Sequence, residues 1–224
     1  MTSMTAMIEL SGSQDGFGGD LRFGETGAGA GLRGADKICA AVAERSMPGS
    51  SAKQWRAFLS VSADENGARV NAIDRVGEGP WYDRLGRVVA LTKADLLAQR
   101  PANADEAIQR DLPNEDGVPN HAPNGAVLDN HDTLTGSTTA GLLSSANATC
   151  SDWTSTTASG RPMAGHSWPR NRGSSNDSAH WIAAHAVPGC RAGINTSDNG
   201  GGMGTNTVGG SGGYGGIYCF ALSP

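Results

Sequence analysis

An α+β fold with few helices, short strands and long turn-rich loops is predicted by three observations. The chain has 33 glycines among 224 residues, against a usual share of about 7%, and glycine gives up the most backbone freedom in regular structure. Helical periodicity and strand alternation each occur, but only in short stretches. Four cysteines, Cys39, Cys150, Cys190 and Cys219, are spread along the chain, as expected where loops need covalent support.

The strongest helix signal is GADKICAAVAE, residues 34 to 44, where Ala35, Ile38, Cys39 and Val42 recur at three- and four-residue steps before Pro48-Gly49. KQWRAFLSVSA, residues 53 to 63, alternates Trp55, Ala57, Leu59 and Val61 with polar positions, interrupted by Phe58, and reads as a half-buried strand. RVVAL (87 to 91) is a second strand. It leads into TKADLLAQ, where Thr92 and Asp95 have capping-box spacing for a short helix. Residues 99–125 carry four prolines and little apolar periodicity, and are expected to form a long surface loop insertion. AVLDNH (126 to 131) and CSDWTS (150 to 155) are expected as short strands. Beyond Trp153 a series of turns should lead to a final apolar strand, IYCFAL (217 to 222). No repeat or linker divides the chain, so residues 1–224 are read as a single domain.

Composition also excludes partners. A net charge of -5 argues against nucleic acid, polyanionic glycans and acidic membranes, all of which need a basic surface. No run of 18 apolar residues is present, so membrane insertion is not expected. The opening MTSMTAMIELSG has neither a basic n-region nor a long apolar h-region, so the chain as it stands shows no secretion signal. The cysteines make no C-x-x-C pair and allow three disulfide connectivities or free thiols; the loop-rich composition favours disulfides and hence an extracellular or periplasmic location.

In order along the chain, GLRGADKIC, WRAFLS, CSDW, a Gly-Cys and YCFAL together resemble endostatin and bacterial C-type-lectin-like domains of uncharacterised function, from about residue 31 to 222. The resemblance implies a C-type-lectin-like fold: a twisted, mostly antiparallel sheet, two helices, long loops, and the chain ends brought together so that the last strand is central. It also implies nested disulfides, Cys39–Cys219 and Cys150–Cys190. Two features of endostatin find no counterpart in this sequence: its N-terminal histidine-rich zinc site and its heparin-binding arginine surface.

Candidate chemistry is sparse. His166, His180 and His185 lie between Cys150 and Cys190 and form a candidate metal cluster, since neutral imidazole is a common ligand. Their spacing fits no helix face, however, and the plainer reading is that they hydrogen-bond loop backbone beside Trp168 and Trp181. NEDG (114 to 117), DNHDT (129 to 133) and NTSDNGGG (195 to 202) offer oxygen ligands for calcium, but read more simply as solvated turns. No cofactor is expected. No G-x-S-x-G nucleophile elbow is present and the glycine runs lack a strand–turn–helix context, so an enzyme is not expected. Trp81, Tyr82, Trp168, Trp181 and Tyr214 sit in or beside loops, where exposed rings would suit stacking on ligands, but the plainer reading is that they pack beneath the long loops.

The sequence therefore points to a non-catalytic extracellular recognition domain. Its long loops would bind a glycan, a protein or a small ligand through Trp168, His180, Trp181, His185, Asn195 and Asp198. The alternatives are an assembly subunit of a surface layer or filament, laced by glycine-rich arms at 11–31 and 200–216, and a metal-dependent enzyme using the His cluster. Residues 171–214 are rich in Asn, Ser, Asp and Gly, a composition that adenine-directed diversification of a receptor would also produce.

Overall fold

A computed structural model describes residues 1–121, 128–169, 180–197 and 206–223. The elements in chain order are α1 (Met4–Ser11), α2 (Ala30–Ser46), β1 (Trp55–Ala57), β2 (Trp81–Tyr82), β3 (Val88–Ala90), α3 (Lys93–Leu96), α4 (Glu106–Arg110), β4 (Asp132–Leu134), β5 (Met163–His166), β6 (His185–Ala186), β7 (Gly213–Ile217) and β8 (Cys219–Ala221). The architecture is mixed α+β. The described strands make two antiparallel pairs, β1–β8 and β2–β3, and a four-stranded sheet in the order β6-β5-β4-β7. Within that sheet only the β4–β7 contact is parallel.

Helix α2 follows from its periodicity. Leu32, Ala35, Ile38, Cys39 and Val42 are buried along one stripe, and the helix stops just before Pro48, whose ring disfavours helical geometry in the residue ahead of it. Thr92 and Asp95 form the expected capping box on α3. Both disulfides form as nested pairs, Cys39–Cys219 and Cys150–Cys190. The first ties α2 to β8, where Cys219 lies opposite Ala57 of β1. The N-terminal segment is paired to β7: Thr2 N donates to Ile217 O at 3.0 Å, and Ile217 N donates to Thr2 Oγ1 at 3.0 Å.

Several local expectations are corrected. Regular strand in the 53–63 segment ends at Ala57, and residues 57–61 are buried on both faces; Phe58, Trp181 and Phe220 cover the side expected to face solvent. Residues 99–125 are more than a surface loop. They contain α4 and bury Ile108 and Leu112, while residues 122–127 lie outside the described residues. The strand expected over 126–131 begins instead at Asp132. Past Trp153 the chain supplies β5, β6 and β7 as well as turns. The last strand is not central: β8 belongs to a two-stranded pair.

CSDWTS is the largest departure. Cys150, Ser151, Asp152 and Trp153 all have positive φ, from 50° to 63°, a left-handed turn of four non-glycine residues in place of the strand. Such geometry costs about 1–2 kcal/mol per residue, and its surroundings supply the compensation. The Asp152 carboxylate accepts from Ser62 N and Ser62 Oγ, both at 2.7 Å. The fully buried Trp153 donates Nε1–H to Ser60 O at 2.9 Å.

The aromatics beside the loops mostly follow the plainer reading and pack in the core. Trp81, Trp168, Trp181 and Tyr214 are buried, and of the five only Tyr82 is exposed. Their polar atoms find buried acceptors: Trp181 Nε1 donates to Leu96 O at 2.7 Å and Tyr214 Oη to Thr2 O at 2.7 Å. Trp181 also fixes a glycine. A Cβ on Gly165 of β5 would stand 1.8 Å from Trp181 O, a backbone clash that no rotamer relieves. Gly165→Ala is expected to cost about 3 kcal/mol or more, measurable by denaturant unfolding. Because β5 also carries His166, the damage should extend to the site described next.

Candidate metal centre

The sheet register gathers three functional side chains on one face. Asp132, the first residue of β4, lies opposite His166 of β5, and Ala164, two residues before His166, lies opposite His185 of β6. Positions opposite one another, or two apart along a strand, share a face, so Asp132, His166 and His185 point the same way. His131 precedes β4, free of its alternation, and its ring turns back to the same point.

His185 Nε2, His131 Nε2 and His166 Nε2 lie 3.0, 3.3 and 3.6 Å from the single atom Asp132 Oδ1. One ligand atom from each of the four residues lies within 4.8 Å of all the others. The edge of a zinc-sized tetrahedron with ligand bonds of about 2.0–2.1 Å is about 3.3 Å, so the three measured separations bracket it. The side chains of His131, Asp132 and His166 are at most 6% exposed, and that of His185 is 35% exposed. Neither oxygen of Asp132 and neither ring nitrogen of His166 has a hydrogen-bond partner among the described residues. His185 Nε2, at 3.0 Å, is the imidazole nitrogen nearest to Asp132 Oδ1. Leaving buried polar groups unmatched costs about 1–3 kcal/mol each, and two of these atoms, Asp132 Oδ1 and His166 Nε2, face each other within the cluster, where a cation could satisfy both.

The other ring nitrogens are already engaged where it matters. His131 Nδ1 lies 2.6 Å from Asp129 Oδ1, the carboxylate–imidazole contact that fixes the tautomer and turns Nε2 inward as an acceptor. His185 Nδ1 is 3.4 Å from Ala186 O, a weaker version of the same arrangement. The charge balance fits as well. Burial pushes the Asp132 carboxyl up, but His185, His131 and His166 pull it down further, leaving it below the usual carboxylate range. Burial, reinforced by its neighbouring imidazoles, pushes His166 down to about 3, so it is neutral at ordinary pH. For His185 burial acts downward, yet the Asp132 contact outweighs it and the net shift is up.

Buried polar groups brace the centre from behind. Trp168 packs edge-on to His131 with ring centres 5.6 Å apart, and His121 stacks on Trp168 at 3.7 Å. Trp168 Nε1 donates to Asn130 Oδ1 at 2.9 Å, and Asn130 Nδ2 to Asn120 O at 2.6 Å. Half-buried Arg100 forks onto the carbonyls of His166 and Ser167 at 2.5 and 2.6 Å. The glycine-rich tail closes the site: a Cβ on Gly212, itself at φ +114°, would stand 2.7 Å from the His131 ring and 2.8 Å from Asp129 Oδ1. Asp129→Asn is expected to weaken metal binding about 10- to 100-fold without abolishing it, a loss that competition with a chromogenic chelator measures.

Two of the three expected metal histidines, His166 and His185, sit in the centre. His180 does not: its Nδ1 accepts from Ile182 N at 3.1 Å and its carbonyl from His166 N at 2.9 Å, the plainer role foreseen for it. Of the residues expected to bind a ligand, Trp168, Trp181 and His180 are buried. Asn195 caps a turn, its Oδ1 accepting from Ser197 Oγ at 2.8 Å, and Asp198 lies outside the described residues. Asn114 of NEDG likewise accepts from Asp116 N and Val118 N within its own turn. His131 and Asp132 lie in DNHDT, whose sequence reads as an oxygen-rich turn and not as a transition-metal site, yet both join the cluster. A signal did exist: all five histidines of the chain fall between residues 121 and 185. No family model matches the chain, and no match is found among curated proteins.

Proposed function

We propose that this is a disulfide-stapled, exported domain built around a transition-metal centre of His131, Asp132, His166 and His185, and that the bound ion fixes the loops through which the domain recognises its ligand. The observation that carries this reading is the convergence of three imidazole nitrogens on one buried, hydrogen-bond-free carboxylate oxygen. Three nitrogens and one oxygen suit zinc, or copper and nickel in competition with it, and poorly suit calcium or magnesium, which take oxygen shells. Four protein ligands make a closed set, the pattern of structural sites, which favours binding over catalysis. The two disulfides are compatible with an oxidising compartment.

A C-type-lectin-like assignment of the fold belongs to the same proposal. It is supported by the nested bridges and by the pairing of Thr2 with Ile217. The glycine-rich arm at 11–31 packs into its own chain, with Leu21 buried and Gly19 N donating to Cys190 O at 2.8 Å; this favours a self-contained domain over lacing between copies. A hydrolytic reading draws on one observation, the 35% exposure of His185, which makes it the ligand a substrate could displace.

Calorimetric titration of the chelator-treated protein with zinc tests the proposal. One ion per chain is expected, with proton release that grows as pH falls, because the ion and a proton compete for the same His185 nitrogen, whose pKa is raised by the Asp132 contact. Affinity should therefore fall as pH drops through and below the raised pKa of His185. Absence of saturable binding near neutral pH would sink the reading.

A further inference from the structure

A second site lies apart from the metal centre: a cleft of about 550 Å³ between α2, the β2–β3 hairpin and β8, none of whose lining residues is a metal ligand. Its walls include Val42, Trp55, Trp81, Leu112, Phe220 and Leu222. Exposed apolar side chains at its edge, Tyr82 at 55% and Leu222 at 39%, carry the apolar surface outward. Cavities of this volume with apolar walls and a few polar groups are the usual form of small-molecule sites.

The charges on the lining select among ligands. The acidic groups are all engaged by the protein: Glu78 pairs with Lys93, Asp83 with Arg87, and Glu115 accepts from Ser3 N and Ser3 Oγ at 2.7 and 2.6 Å. Of the cations, the Met1 ammonium donates to Pro113 O at 2.8 Å, but the other two are not matched in this way. Lys53 has no ion pair or hydrogen bond through its side chain among the described residues, and Arg84 has only a 3.3 Å bond to Ser46 O. An apolar cleft whose carboxylates are satisfied and whose ammonium and guanidinium lack carboxylate partners is complementary to an apolar body with an anionic head. We infer that this cleft binds a small amphiphilic carboxylate, with the apolar part against Trp55, Trp81 and Phe220 and the carboxylate at Lys53 and Arg84.

The test compares decanoic acid, decanol and decylamine, each titrated into the full chain below its aggregation threshold and followed by calorimetry and tryptophan fluorescence. The acid should bind one per chain, about 5- to 10-fold more tightly than the alcohol, with an advantage that shrinks in high salt. The double variant Lys53→Glu/Arg84→Glu alters two accessible side chains and should erase or invert that preference while leaving alcohol binding in place. Equal affinity for acid and alcohol, preference for the amine, or no saturable binding of any of the three would each overturn the inference. Chelator treatment should leave the preference unchanged, which separates this site from the metal centre.

Discussion

Replacing Asp132 with Ala is expected to abolish stoichiometric zinc binding, and with it a thermal stabilisation of about 10 °C that zinc should confer on the unaltered protein. The magnitude follows from mass action. An ion supplied at about a thousand times its dissociation constant adds about 4 kcal/mol, and each kcal/mol moves the midpoint of a chain this long by about 2–4 °C. The metal-free variant should be at least as stable as the metal-free parent. Asp132 is a buried anion whose oxygens have no hydrogen-bond partners among the described residues, and removing it relieves a desolvation cost. His131→Ala and His166→Ala should likewise lose the zinc response, while His180→Ala should keep it, because His180 bonds to Ile182 N and faces no ligand. Paired thermal scans with and without zinc check all four. A stabilisation that survives Asp132→Ala would move the ion elsewhere.

The second large effect concerns the outer disulfide. Cys39 and Cys219 close a loop of 180 residues, and the chain-entropy account gives such a bridge about 5 kcal/mol, against about 4 kcal/mol for Cys150–Cys190 across 40 residues. Total stabilities of single domains run about 5–15 kcal/mol, so the double variant Cys39→Ala/Cys219→Ala should lose a large share and unfold at much lower denaturant. The packing argues the same way. Cys39 is fully buried on α2, and among the described residues β8 pairs only with β1, so the bridge ties the last strand directly to the helix. A change below about 1 kcal/mol in chemical denaturation would contradict this account of the chain end.

What could be read from the residues, and what could not, divides along physical lines. Helix α2 and the capping box at Thr92 and Asp95 were legible because their signals are local: a periodic stripe, and two side chains three residues apart. The turn at CSDW is not legible in its residues because its geometry is imposed from outside, by Ser60 and Ser62 accepting and donating across 90 or more residues. Exposed and packed aromatics look alike in sequence because all have glycines and serines as neighbours; Trp181 and Tyr214 form the core beneath the loops, and Tyr82 is exposed. At the candidate centre, His166 and His185 were within reach of sequence reasoning, but Asp132 joins them only through the β4–β5 register. Spacing along the chain cannot report a register set by strand pairing.

X-ray absorption at the zinc edge of the loaded protein tests the central claim most directly. A four-coordinate ion with three imidazole nitrogens and one carboxylate oxygen at about 2.0–2.1 Å is expected, with clear imidazole multiple scattering. An oxygen-only shell, or a zinc ion with fewer than two imidazoles, would contradict it.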